Sequence, residues 1–382
     1  MKQKYTILIL TIIISTLLTG CWDKVEINNR GFVIGLGIDK LKEEEKKEEL
    51  DKIKVSFKIP NVALLGTKQT PTKEASFYWE AQGESFNTTI NKIESKSPFD
   101  LELSHNKIII LGKEIVQDKR LFKQILDGID RNKRFSRKMF ILVSEETASD
   151  IIAIKPNEQP IVGVYYSNIL RSAVNNGTVI DGTLNKVIKE IHENKSTVFP
   201  LTTKTDNNKR IELVGGIVVK DYVFKEELNA RECRFLNMIN QDNYNIMDIH
   251  VTYKDVPVAY KITSNKSETK VTEKDNNLVL DIYIDTEGDI TQHEIGIKGL
   301  VANDKGIREV EKLCENKIKE NVNKLISKLQ KDSLDVIHVK DTLYKYNQPL
   351  YKKVNEDFDQ YFKNMKVNVH VNSKIRRIGI VR

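Results

Sequence analysis

The sequence predicts an α+β protein of two to three mixed lobes, with antiparallel-rich sheets and a long amphipathic helix in its C-terminal domain. Three observations predict it. Segments of strand and helix period alternate irregularly, without the ordered strand–helix–strand series of a parallel α/β fold. A polar, Asn-rich tract, LTTKTDNNKRIE at 201–212, separates two halves of unlike pattern. Beyond it, Val310, Cys314, Ile318, Val322, Leu325 and Leu329 form one apolar stripe at helical spacing within 307–329. A chain of 382 residues is long enough for two or three such domains.

The first element is a leader. Lys2 and Lys4 flank the start of YTILILTIIISTLL, an apolar run over 5–18 that is shorter than the roughly 20 residues a membrane-crossing helix needs. A basic start, an apolar centre and a small-residue end describe a secretory signal peptide over residues 1–20. Leu18-Thr19-Gly20-Cys21 resembles the lipobox of bacterial lipoproteins, which makes Cys21 the expected lipid attachment site. Two acyl chains on such a cysteine hold a protein to a membrane where a single chain does so only marginally. Cys233 and Cys314 share no CxxC or metal-ligand spacing and sit among apolar residues at helical intervals. They read as small core residues, with a disulfide between them left open.

After the leader, RGFVIGLGID (30–39) is a strand apolar on both faces, and KLKEEEKKEELDK (40–52) is a mixed-charge loop or short helix. IKVSFKIP alternates as a half-buried strand closed by Pro60, and 61–74 is an exposed loop. ASFYWEAQG continues as a strand into a helix through ESFNTTINKIES. NKIIILGKEI is a compact buried strand, DKRLFKQILDGIDRNKRF an amphipathic helix, and RKMFILVS another strand. SEETASDIIAI starts a helix with a capping region at Ser144 and Thr147, and further helices cover 162–174 and 184–193.

Beyond 201–212, LVGGIVVKDYVF suggests a strand pair and 231–239 a short helix. Several strands between 246 and 297 form one antiparallel sheet, with Leu278, Leu280, Ile282 and Ile284 on one face. Glu315 with Lys319 and Glu320 with Lys324 lie four apart along the long helix, in the favourable order. The last strand, KVNVHVN, sets Val367, Val369 and Val371 opposite Asn368, His370 and Asn372. The domain scheme is therefore signal peptide 1–20, N-terminal α+β region 21–200 in two lobes, linker 201–212 and C-terminal domain 213–382.

No GxxxxGK[ST], HExxH or GxSxG pattern is present. Gly35 and Gly37 lack the third glycine of a dinucleotide loop, because Lys40 stands there, and they read as places where a neighbouring backbone approaches the strand. No two of the six histidines stand four apart. The sequence thus offers no catalytic residue, metal site or cofactor. A net charge of +7 spread along the chain does not suggest nucleic acid. The densest basic run is DRNKRFSRK, which reads as cations complementing a helix end or as a contact to lipid headgroups or an acidic partner loop. Arg131, Arg134 and Arg137 are its candidate contact residues.

The stretch CWDKVEINNRGFVIGLGID resembles the mature start of the Ger(x)C family, the lipoprotein C subunits of spore nutrient germinant receptors; the matching positions are Cys21, Trp22, Asp23, Glu26, Gly37 and Asp39. HNKIIILGKEI, DRNKRFSRKMFILVS, GGIVVKDYVF, NKSETKV and VNVHVNSKIRRIG follow the family in order and type. One departure lies at Val219-Lys220, where the family usually carries Phe-Lys and then Gly-x-Leu; the glycine is missing here. The resemblance implies three α+β lobes, two of them before about Leu201, and no enzyme activity. It implies assembly with the integral membrane A and B subunits on the outer face of the spore inner membrane. The expected function is a non-catalytic, lipid-anchored receptor subunit needed for nutrient-triggered germination. The alternative is a lipid-anchored solute-binding protein or cell-wall enzyme, the former expected to show two similar α/β lobes joined by crossing strands.

Overall fold

Three runs with no polar alternation, GLGID, IIILG and FILVS, become the parallel centre of a large mixed sheet, because strands covered on both faces need no polar side. The structure is a computed structural model that describes residues 29–61, 76–156, 158–159, 161–205, 210–240, 247–292 and 303–378. In chain order the strands of the first half are β1 (Arg30–Phe32), β2 (Gly35–Lys40), β3 (Ile53–Pro60), β4 (Ser76–Gly83), β5 (Asp100–Glu102), β6 (Ile108–Gly112), β7 (Phe140–Ser144), β8 (Ser196–Lys204), β9 (Ile211–Lys220) and β10 (Val223–Asn229). Eight of them form one sheet in the order β10-β9-β8-β7-β6-β2-β3-β4, while β1 and β5 pair in a small parallel sheet. Helices Phe86–Glu94, Lys119–Arg131 and Leu184–Asn194 pack on one face and Ala148–Ala153 and Val162–Asn175 on the other.

The second face is organised by the short helix Ala148–Ala153. Thr147 caps its start by accepting the Asp150 amide. Asp39, at the end of β2, accepts the Ala148 amide at 2.5 Å and the Ser149 amide at 2.9 Å. At the other end, Lys58 of the neighbouring β3 donates to the carbonyls of Ala153 and Ile154, both at 2.9 Å. An anion at the N-terminus and a cation at the C-terminus both complement the helix dipole. Gly37 makes room for this contact, since a Cβ there would lie 3.0 Å from the backbone of Ala148. Gly35 faces Gly163 in the same way, with a Cβ-to-Cα distance of 3.2 Å, so both glycines serve backbone approach, as their lone spacing suggested.

The second half builds β11 (Met247–Tyr253), β12 (Val256–Lys274), β13 (Asn277–Gln292) and β14 (Lys366–Ile378) into a four-stranded sheet in that order. β11 to β13 pair antiparallel, as the alternation predicts, and β14 joins parallel to β13. The long helix runs Asp304–Lys331 and spans about 42 Å, long enough to pack against strands at both edges. Its stripe is buried as predicted, with Ile326 added. Glu320 pairs with Lys324 at 2.6 Å, but Glu315 turns to Lys312 and to the Ser373 amide instead of Lys319. Glu311 likewise accepts the Ile375 amide at 2.8 Å, so the helix satisfies donors on the otherwise open edge of β14. A second buried aspartate, Asp335, accepts the amides of Val339 and Lys340 and starts the helix Val339–Tyr346.

The structure bears out the α+β class, its multi-lobe organisation and the long C-terminal helix. Other expectations change. The tract 201–212 is not a linker: its first four residues complete β8 and Ile211 and Glu212 open β9, while 206–209 lie outside the described residues. Two of its three threonines are absorbed by the fold, since Thr202 donates to the Glu212 carbonyl and Thr203 to the Glu146 carboxylate. The chain stays in the first sheet to Asn229, and Val198, Val218 and Leu228 share a core with the second sheet. β3 is buried along both faces rather than half-buried, because the helix Ala148–Ala153 covers its outer side. The strand expected at 30–39 breaks at Val33-Ile34, where the Lys107 amide takes the Ile34 carbonyl. Cys233 and Cys314 are both free and buried, as small core residues.

Burial pushes the Asp39 carboxyl above its ordinary value, although the Ser149 and Ala148 amides oppose this. A carboxyl raised in the folded state contributes stability that is complete below its unfolded pKa, about 3.9, and is lost as pH rises through the folded value. Asp39→Ala, which strands two helix donors, is expected to lower the unfolding free energy by about 2 kcal/mol. Asp39→Asn, which keeps one acceptor, should lose less, and urea titrations across pH 3.5–7 are expected to show the wild-type advantage over it shrinking as pH rises.

Candidate functional site

The lipid attachment residue predicted at Cys21 lies outside the described residues, as do Trp22, Asp23, Glu26 and residues 62–74 of the loop expected at 61–74. The point where the chain joins the fold is well defined. Arg30 pairs with Glu102 at 3.8 Å as β1 lies beside β5. Gly31 packs so tightly that a Cβ would meet Phe99 at 2.9 Å and Ile59 at 3.0 Å. Phe32 sets its ring edge-on to His105, with centroids 5.2 Å apart. The Ser104 hydroxyl and amide hold the Glu102 carboxyl below the usual carboxylate range.

The basic run stands at the same end of the sheet. The Phe140 amide, at the start of β7, donates to the Lys107 carbonyl, and the Lys107 amide donates to Ile34 just before β2. The segment after the helix Lys119–Arg131 therefore turns beside the first described strands. Arg131 pairs with Asp127 at 2.8 Å, Arg134 with Glu94 at 2.9 Å, and Arg137 with Asp130. The three arginines singled out by sequence are thus brought to one region, each matched to a carboxylate of its own chain. Lys133 and Lys138 are exposed, and among the described residues no carboxylate pairs with either.

A polar junction that the sequence did not reveal joins the two lobes. Lys220, 7% exposed at the end of β9, donates to the Ser333 carbonyl at 3.0 Å and to Asp359 at 2.6 Å. His338 faces Glu190 at 3.5 Å and Asn194 at 3.2 Å, and Thr197 donates to Glu190 at 2.6 Å. A cavity of about 310 Å³ opens here between Lys195, Lys220, Lys340 and Asp335. Burial and the neighbouring Lys195 push the Lys340 amine below its ordinary value. The partners of Lys220 and His338 lie more than a hundred residues away in sequence, so no local spacing signals them. Lys220→Met strands the buried Ser333 carbonyl and is expected to cost about 1–3 kcal/mol. Hydrogen exchange at residues 333–335 should quicken in that variant; unchanged exchange would rule the strut out.

Among the described residues no group of three or more His, Cys, Asp or Glu is placed to hold a metal ion, and no helix is long and apolar enough to cross a membrane. Burial pushes the thiols of Cys233 and Cys314 each up to about 12, far from a reactive thiolate.

Two family models match the chain: "Spore germination protein N-terminal domain" over residues 23–204 and "Spore germination B3/GerAC like, C-terminal" over residues 214–379. Among Bacillus subtilis proteins, spore germination protein A3 is 24% identical, with 96% of each chain covered. Spore germination protein YndF from the same organism is 21% identical, covering 100% of this chain and 98% of its own. The crystal structure of the GerBC protein superposes with a TM-score of 0.59 at 16% identity, over 92% of this chain and 100% of that one. That likeness shows the same fold. The chain belongs to the Ger(x)C family of spore germination proteins.

Proposed function

We propose that this chain is a non-catalytic, lipid-anchored subunit of a spore nutrient germinant receptor, needed for germination in response to small nutrients. The observation that carries the reading is the pair of family models, which together span nearly the whole chain and begin two residues beyond Cys21. The leader and lipobox stand outside the matched region, as a removable signal ending at an acylated cysteine would. The other two cysteines are enclosed in the core, which leaves Cys21 as the residue for acylation. In this reading the body rests on the outer face of the spore inner membrane, beside the integral membrane A and B subunits. The solute-binding alternative has less support, because an eight-stranded mixed sheet and a four-stranded sheet are not two similar lobes.

The test uses spores carrying Cys21→Ala beside a deletion strain. Labelled palmitate is expected in the wild-type protein and absent from the variant. Both strains should lose dipicolinic acid release to one class of nutrient while non-nutrient germination persists. Normal nutrient responses in the deletion strain, across amino acids, sugars and nucleosides, would contradict the receptor role.

A further inference from the structure

We propose that one pole of the first lobe, the end of the sheet where β2, β6 and β7 begin, lies against an anionic lipid bilayer through exposed lysines and Phe77. The proposal rests on the anchor reading above and adds an orientation to it. Only eight residues lie between Cys21 and Arg30, so the nine steps reach roughly 30 Å at full extension. Since Arg30 is fixed beside β5, an anchored Cys21 keeps this end of the molecule near the membrane.

The surface at that end suits the position. Phe77, at the start of β4, is 39% exposed; it pairs with Ile59 and stacks on Phe99 at 6.0 Å, and both of those residues touch Gly31. An apolar ring is therefore presented beside the tether. Segments 94–107 and 130–138 converge here through the Arg134–Glu94 pair and the Phe140–Lys107 hydrogen bond. Together they carry seven lysines and arginines against four aspartates and glutamates. The arginines are matched within the chain, so the excess falls on Lys96, Lys107, Lys133 and Lys138, all exposed and without a carboxylate partner among the described residues. Apolar contact and attraction to anionic headgroups add in such a surface.

The polar junction with the second lobe stands away from the pole. The helix Leu184–Asn194 starts beside it, where the Asn185 amide donates to the Arg137 carbonyl, and ends where Asn194 meets His338. Its eleven residues set that junction about 16 Å from the pole.

The orientation is read on the mature chain carrying Cys21→Ser and an N-terminal hexahistidine tag bound to nickel-chelating lipid. An environment-sensitive fluorophore is placed in turn at Lys133→Cys, Phe77→Cys and Tyr346→Cys, the last on a side chain 84% exposed on the second lobe. Vesicles of phosphatidylcholine with or without phosphatidylglycerol carry a spin-labelled lipid as quencher. Quenching is expected at positions 133 and 77, stronger with phosphatidylglycerol, and not at 346. Lys133→Glu with Lys138→Glu should weaken binding of the untagged chain to anionic vesicles by about five-fold or more per lysine. Labels at 133 and 77 that stay unquenched, or quenching as strong at 346, would overturn the proposal. So would protection of 133 and 77 only when the A and B subunits are present, which would assign the pole to a protein partner. The tag supplies the attachment, so failure here is separate from failure of acylation, which the palmitate experiment reads.

Discussion

Six residues of helix, Ala148–Ala153, are held between two charged side chains on adjacent strands, and the packing of the first lobe depends on that grip. A helix this short has no stability of its own, since nucleation costs more than so few hydrogen bonds return. Asp39 and Lys58 supply what is missing by taking up donors at one end and acceptors at the other. The Tyr166 hydroxyl then donates to the Ile151 carbonyl, which ties the next helix to the same unit. With both helices in place, Ile108, Ile110 and Leu142 are covered and the apolar central strands have two buried faces. The glycines of β2 follow from this arrangement, because any side chain there would push the helices away.

The second lobe repeats the device with Asp335, and β10 passes directly into the helix Ala230–Asn240. β8 and β9 continue the first sheet through the tract that separates the two family models, and helix Ala230–Asn240 enters the core of the second sheet. Lys220, Glu190 and His338 add polar contacts across the same boundary. A packed junction between lobes describes a body that presents the same surfaces to its surroundings from molecule to molecule. That suits a subunit of an assembly held at a membrane.

Much of this was legible in the chain. Strands and helices followed hydrophobic period, and the long helix was evident because more than five turns of stripe leave little ambiguity. The backbone approach at Gly35 and Gly37 was legible from glycine inside an apolar strand. What the sequence hid was pairing at a distance. Asp39 reads as the end of a strand, and nothing local indicates that its partners are 109 and 110 residues away. Arg134 looked available for a partner until Glu94 stood beside it. The hairpins at Asp221-Tyr222, Lys254-Asp255 and Asp275-Asn276 all turn at positive φ without glycine, so the usual turn signal was missing. The tract 201–212 looked like a linker because it is polar, whereas Thr202, Thr203 and the Lys204 amide are satisfied within the β8–β9 pair and by Glu146.

The most direct test is native-state hydrogen exchange at the amides of Ala148 and Ser149, compared with amides of central strand β6. If Asp39 anchors the fold, these first-turn amides exchange only through global unfolding, with the same free energy as β6. Exchange at the rate of a fraying helix end, while β6 stays protected, would show that the grip is local and that the sheet stands without it.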